Sequence, residues 1–183
     1  MVSISSILAG FVLLLIAELR HLRAPARGPG VHRALQTAGY ALIALAWALI
    51  ALESATRAAT SPAAPLLLAA AAASGALLIW TTFLEIPRGT RRRGTPSRHV
   101  YDGGSYAWCR HPGFWWFLLF SASLALWAGE WRAYVSFFIA NPMNLLLIAV
   151  QDKYTFPVQF VNYREYSANV PFLMPKRPRS RSQ

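Results

Sequence analysis

The chain has little cysteine and few charged side chains for its length. Its 183 residues include one cysteine, Cys109, and 14% of them are charged, against about a quarter in soluble domains. A single cysteine excludes an intramolecular disulfide and a cysteine-based zinc or iron–sulfur site, and we expect no metal site. The low charge argues against an ordinary soluble fold.

The sequence is rich in long apolar stretches. Hydrophobic residues make up 55% of the sequence and the mean hydropathy is +0.34. Crossing a hydrocarbon core takes roughly 20 helical residues. Five stretches reach or approach that length, at about 2–19, 35–52, 65–86, 112–129 and 133–150. The sequence therefore predicts an all-α integral membrane protein with five transmembrane helices, the first of them retained rather than cleaved as a signal peptide.

The basic residues are unevenly distributed among the connections. Sixteen of the 18 Lys and Arg lie between spans one and two, between spans three and four, or after span five; only Arg57 and Arg132 lie elsewhere. Because such residues accumulate on the cytoplasmic side, the N-terminus is predicted outside and the C-terminus in the cytoplasm. Anionic headgroups account for the net charge of +11, so we expect membrane lipids and no nucleic acid as partners. The high Ala and Arg content suggests a bacterial inner (cytoplasmic) membrane.

The segment before the fourth span is a candidate anion site. Gly103-Gly104 permits backbone conformations in which several N–H groups converge on an anion. Arg110 and His111 follow, and Pro112 is predicted in the first turn of the fourth helix. A helix N-terminus favours a carboxylate or a phosphate. The alternative is that Arg110 and His111 are interfacial side chains beside an aromatic belt.

The fifth span carries a polar stripe that ends at the cytoplasm. Asn141, Asn144, Gln151 and Asp152 share roughly one third of the helical circumference, and such a stripe faces protein or water rather than lipid. For the two asparagines the simpler interpretation is a turn or kink at Asn141-Pro142 and an interhelical hydrogen bond from Asn144.

Three further groups have simple structural explanations. Glu18 and Glu85 end the first and third spans, where pairing with Arg20 and Arg88 is the simplest role; either acid could instead act as a base toward an acceptor. Cys109 is expected to be a packing residue rather than a nucleophile.

Two short motifs on the predicted cytoplasmic face resemble a known family. The first is 106–112, and the second is Asp152 followed by 163–166 and 170–175. In this order, separated by one membrane hairpin, they resemble the isoprenylcysteine carboxyl methyltransferase and phospholipid methyltransferase superfamily. The resemblance covers 104–175.

The resemblance implies an integral membrane methyltransferase that uses S-adenosylmethionine and a lipid-like or amphipathic acceptor. It implies a cytosolic donor pocket closed by the C-terminal segment. The cofactor-binding residues it assigns are Tyr106, Arg110, His111, Pro112, Gln151, Asp152, Tyr163 and Tyr166. Methyl transfer from a sulfonium needs positioning and exclusion of water rather than a metal or a covalent nucleophile. Arg110 and His111 would bind the donor's carboxylate and Asp152 its ammonium group.

The sequence departs from the family pattern at four positions. Gln151 replaces the first acid of a Glu-Glu pair, and Ser105, Phe114 and Trp116 replace a Pro, a Tyr and a Gly. Two alternatives therefore stay open. One is an NADPH-dependent reductase of the sterol-reductase type, in which 91–93 would bind the extra phosphate. The other is a non-catalytic membrane scaffold with a decayed donor site.

The predicted organisation has three parts. Residues 1–86 form a three-span membrane region, and 87–175 form the methyltransferase-like core. Residues 176–183 form a disordered basic tail.

Overall fold

The computed structural model describes residues 2–23, 29–58, 62–94 and 98–175. These residues form helices and connections with no strand among them, which confirms the all-α prediction. The helices are α1 Val2–Arg23, α2 Pro29–Ala58, α3 Ala64–Ile79, α4 Ile86–Arg93, α5 Pro112–Ala128, α6 Trp131–Val150, α7 Phe156–Gln159 and α8 Tyr163–Asn169. The predicted tail, Arg27 and the side chain of Arg57 lie outside the described residues.

Four helices of the described chain are long and apolar enough to cross a membrane, which indicates a membrane protein. They are Ser3–Arg23, Gly30–Thr56, Ala64–Arg93 and Trp131–Gln159. The remaining predicted span is helix α5, which has 17 residues. At 1.5 Å per residue it is about 26 Å long, somewhat less than a hydrocarbon core of about 30 Å. Length and composition thus support four of the five predicted spans.

Two of the long helices contain a π-helical turn near one end. Trp80–Glu85 joins α3 to α4, and Gln151–Thr155 joins α6 to α7. A proline follows each turn, Pro87 in α4 and Pro157 in α7. Proline lacks an N–H and its ring crowds the carbonyl four residues earlier, and the wider π turn accommodates this. The helices therefore continue into both segments that were predicted to be connections.

The helix bundle is held by small residues and aromatic contacts. Helix α1 packs against α2 and α6, and α5 packs against α2, α3 and α6. A Cβ on Gly39 of α2 would lie 2.8 Å from the carbonyl oxygen of Gly10 in α1, so only glycine allows this approach. Phe11 of α1 meets Phe117 of α5 edge to face, with ring centroids 6.2 Å apart. These contacts fix α1 and α5, which both contribute to the site.

Asn141 connects α6 to α5. Its Nδ2 donates to Ser121 Oγ over 3.0 Å and to the carbonyl of Phe137 over 2.9 Å. The predicted interhelical hydrogen bond is therefore made by Asn141 and not by Asn144. Helix α6 continues through Pro142, so the predicted turn at Asn141-Pro142 is wrong, and the kink given as its alternative stays a prediction.

Candidate functional site

The two sequence motifs meet at the side chain of Asp152, in the π turn that follows α6. Arg110 Nε lies 2.9 Å from Asp152 Oδ1, and Arg110 Nη2 donates to Oδ2 over 3.0 Å. His111 Nε2 lies 3.1 Å from the same Oδ1, to which the Tyr163 hydroxyl donates over 2.5 Å. Groups from the start of α5 and from α8 thus share one carboxylate.

Arg110 also fastens the C-terminal segment to the connection before α5. Its Nη1 donates to the carbonyl of Ser167 over 2.7 Å, and its backbone N–H donates to the carbonyl of Pro171 over 2.9 Å. A third bond runs from the Tyr166 hydroxyl to the carbonyl of Tyr106, over 2.8 Å. The segment that the resemblance assigns to closing the site is therefore in contact with the first motif.

Glu85, in the other π turn, holds the glycine-containing loop. Its two carboxylate oxygens accept the N–H and the Oγ–H of Ser105, each over 2.6 Å. A Cβ on Gly104, whose φ is +54°, would overlap this carboxylate. The prediction that Glu85 pairs with Arg88 is therefore wrong. The N–H group of Ser105 does bind a carboxylate, but that carboxylate is Glu85 of the same chain and not a ligand.

Glu18 contacts Gln151 rather than Arg20. The Gln151 Nε2 donates to Glu18 Oε1 over 2.8 Å, and Gln36 Nε2 lies 3.5 Å from the same oxygen. Glu18 is 3% exposed. A buried carboxylate from α1 therefore lies beside the position at which the resemblance expects an acid.

A cavity of about 860 Å³ lies next to this network, near the upper end of the roughly 300–1,000 Å³ found for small-molecule sites. Its apolar part runs between α2, α3 and α5 as far as Trp47 and Leu124. Six of the eight predicted site residues line it: Tyr106, Arg110, His111, Gln151, Tyr163 and Tyr166. Pro112 begins α5 as predicted but does not line the cavity, and neither does Asp152.

Two aromatic rings contact His111: Phe172, which belongs to the second motif, and Phe156, which lies outside both motifs and was missed by sequence reasoning. The His111 ring stacks on Phe156 with centroids 6.0 Å apart and a 13° angle, and Phe172 meets it edge-on at 5.0 Å. Phe156 lines the cavity, as do Phe160, Tyr40, Tyr101 and Asn144. The Phe156-Pro157 dipeptide after an apolar helix is the one sequence signal for this wall.

Burial sets the protonation of the polar groups. It lowers the pKa of His111 below its ordinary value, more strongly than the bond to Asp152 raises it. The neutral imidazole can still donate from Nε2 to the carboxylate. Burial also raises the pKa values of Tyr163 and Tyr166, so both hydroxyls stay protonated donors. It raises the pKa of the Cys109 thiol too, as expected for a packing residue.

Asp152 therefore does not line the cavity itself, but its carboxylate holds three side chains that do. Its carboxylate is shared by Arg110, His111 and Tyr163, so its expected contact with the ammonium group of a donor stays a prediction. Within the described residues, no group of three or more His, Cys, Asp and Glu could hold a metal ion.

Comparison with known proteins adds no family to these observations. No family model matches the chain, and neither a curated protein nor a solved structure matches it. The superfamily resemblance rests on the sequence motifs alone and stays a prediction.

Proposed function

We propose that the chain is an S-adenosylmethionine-dependent methyltransferase acting on a lipid-like or amphipathic acceptor at the cytoplasmic face of the membrane. The observation that carries the proposal is the convergence of Arg110, His111 and Tyr163 on Asp152, beside a large cavity. Both motifs that suggested the family contribute to this convergence, although they are far apart in the chain.

The chemistry of the cavity lining fits such a donor. When bound, S-adenosylmethionine would supply a methyl group attached to a cationic sulfur. Transfer of that methyl group to an acceptor leaves the sulfur as a neutral thioether. Arg110 is suited to the carboxylate of its methionine part, and the faces of Tyr163, Tyr166 and Phe156 are suited to adenine. Glu18 does not line the cavity, but it accepts a hydrogen bond from Gln151, which does, and so adds a second carboxyl group near the position where the acid pair is incomplete.

The residues around Asp152 would position the donor rather than react with it. The carboxylate orients the guanidinium of Arg110 and the ring of His111, and α8 together with 170–175 covers them. Holding two reactants in line and excluding water is the main protein contribution to a displacement of this kind. The apolar part of the cavity would receive the tail of the acceptor.

The proposal includes five spans, with the N-terminus outside. Helix α5 begins directly after His111, and the short connection Gly129-Glu130 joins it to α6. Its 17 residues lie at the lower limit for a transmembrane helix. With α5 as a span, the uneven distribution of Lys and Arg puts the candidate site on the cytoplasmic side.

The test is calorimetric titration of the full chain in detergent with S-adenosylmethionine, S-adenosylhomocysteine and NADPH. The expected result is saturable binding of the first two ligands, lost in His111→Ala. His21→Ala is the matched control, because His21 lies in α1 and does not line the cavity. Binding of NADPH alone would favour the reductase. Absence of any binding by folded protein would favour the scaffold.

A second measurement tests the transfer itself. Protein in membrane-lipid vesicles is incubated with S-adenosylmethionine labelled in its methyl group, and label that enters the organic phase is counted. We expect transfer that His111→Ala abolishes and His21→Ala retains. Saturable donor binding without label in any lipid fraction would contradict the proposed class of acceptor.

A further inference from the structure

A second groove, of about 330 Å³, lies where α3 passes into α4. Of the residues that line it, only Tyr101 also lines the large cavity. The others include three arginines, one tryptophan and one acid: Arg88, Arg92, Arg93, Trp80 and Glu85. The function proposed above makes no use of this groove.

Aromatic rings hold two of the arginines. The guanidinium carbon of Arg88 lies 4.9 Å from the centroid of Trp80, and that of Arg93 lies 5.5 Å from the centroid of Tyr101. Stacking on a ring fixes the plane of a guanidinium and leaves its N–H edge available as a fork of donors. Arg92 is exposed, and no protein partner lies against its guanidinium in the described part of the chain.

The acids near the groove are already occupied. Both oxygens of Glu85 accept hydrogen bonds from Ser105. Asp102 lies 3.1 Å from Arg93. Arg88 and Arg92 consequently have no acidic partner within ion-pair distance among the described residues. With Arg93 paired to Asp102, the unused donors of the groove are those of Arg88 and Arg92, and three arginines outweigh the two acids in charge. Such a groove is suited to an anion with several acceptor oxygens.

The apolar surface next to the groove indicates how that anion would arrive. Trp80 and Leu84, four residues apart on the helix that leads into it, are exposed, whereas the exposed Ile79 and Phe83 line the large cavity. They belong to Ala64–Arg93, one of the helices long and apolar enough to cross a membrane. A tryptophan followed by arginines at the end of such a helix is typical of the headgroup region. Acyl chains would lie along this face with the headgroup at the arginines.

We propose that this groove binds the phosphate of an anionic phospholipid, with Arg88 and Arg92 as its donors and the exposed Trp80 and Leu84 against its acyl chains. The general attraction of basic residues to a negative surface needs no groove. A bound lipid instead depends on the particular arginines that line the groove. The proposal is independent of methyl transfer.

The test compares lipid binding by the full chain and by variants that lose the same charge. Delipidated protein in a neutral detergent is titrated with phosphatidylglycerol and phosphatidylcholine, and bound lipid is counted by native mass spectrometry. Arg88→Gln and Arg92→Gln each remove one donor. Arg91→Gln is the matched control, because Arg91 is exposed and adjacent but does not line the groove.

We expect phosphatidylglycerol to bind more tightly than phosphatidylcholine. Each groove substitution should weaken binding about fivefold, since one arginine near anionic lipid contributes about 1 kcal/mol, and Arg91→Gln should change it less than twofold. Equal losses in all three variants, or equal binding of the two lipids, would overturn the proposal. So would glycerol 3-phosphate binding as tightly as the lipid, since that would assign the groove to a free phosphate.

Discussion

Replacing Asp152 by alanine tests the network that joins the two halves of the candidate site. The change leaves the charge of Arg110 and the polar groups of His111 and Tyr163 without the acceptor they share. The side chains of Arg110 and Asp152 are 13% and 16% exposed. Breaking a buried ion pair costs about 3–5 kcal/mol, and this residual exposure favours the lower end, about 3 kcal/mol.

The measurement is thermal unfolding of the full chain in detergent, followed by tryptophan fluorescence at one scan rate. A loss of about 3 kcal/mol corresponds to a fall in Tm of about 6–12 °C for a chain of this size. Asp152→Asn keeps an acceptor but loses the charge, so its Tm should lie between those of the wild type and the alanine variant. Glu165→Ala is the control, because it removes an exposed acid of α8 and should cost about 0.5 kcal/mol at most.

One outcome would refute the reasoning. If Asp152→Ala unfolds within about 2 °C of the Glu165→Ala control, which is under 1 kcal/mol by the same conversion, the carboxylate does not hold the segments together. The backbone bond from Arg110 to Pro171 would then be the more important connection. Because the measurement uses no ligand, its result does not depend on the proposed activity.

Three other changes test separate parts of the structure. Gly104→Ala should lower Tm, since its Cβ would overlap the Glu85 carboxylate at a positive φ; Gly30→Ala, with nothing within 4 Å, is the control, and equal Tm values would contradict the prediction. Because burial lowers the pKa of His111, the unfolded state takes up a proton that the folded state resists, so Tm should fall as pH drops below about 6.5. A pH profile of Tm that is unchanged in His111→Gln would refute this sign. Asn141→Ala removes the bond between α5 and α6 and should cost about 1 kcal/mol in the same unfolding assay; a wild-type Tm would mean that the bond contributes nothing.

The helices could be predicted from the sequence because long apolar runs have few alternatives in a membrane. Their ends could not, since the helices continue through two π turns. Pro87 and Pro157 are visible in the sequence, but a proline after an apolar run also fits a helix that simply stops. The sequence alone does not distinguish a π turn from a helix end. The π turn is recognised from tertiary contacts, such as the hydrogen bonds that Ser105 donates to Glu85.

The candidate site was predicted where it depends on local motifs and missed where it depends on packing. His111 and Asp152 belong to the two motifs, and they meet. Glu18 and Gln151 are 133 residues apart, and their contact follows from α1 packing against α6. No local pattern encodes that packing, so the nearby Arg20 was the only partner that the sequence suggested for Glu18.

The predicted polar stripe has a structural explanation in the pairing of α5 with α6. The stripe runs 11 residues from Asn141 in α6 to Asp152 in the π turn that follows, and 10 residues separate Ser121 in α5 from His111 directly before that helix. Asn141 bonds Ser121 while Asp152 meets His111, so two polar contacts about 15 Å apart fix the antiparallel register of the pair. A residue inserted between Asn141 and Gln151 would keep the first contact but turn Asp152 by about 100° away from the second. The bond between Asn141 and Ser121 therefore determines how far along the helix pair, and in which direction, the Asp152 carboxylate of the candidate site lies.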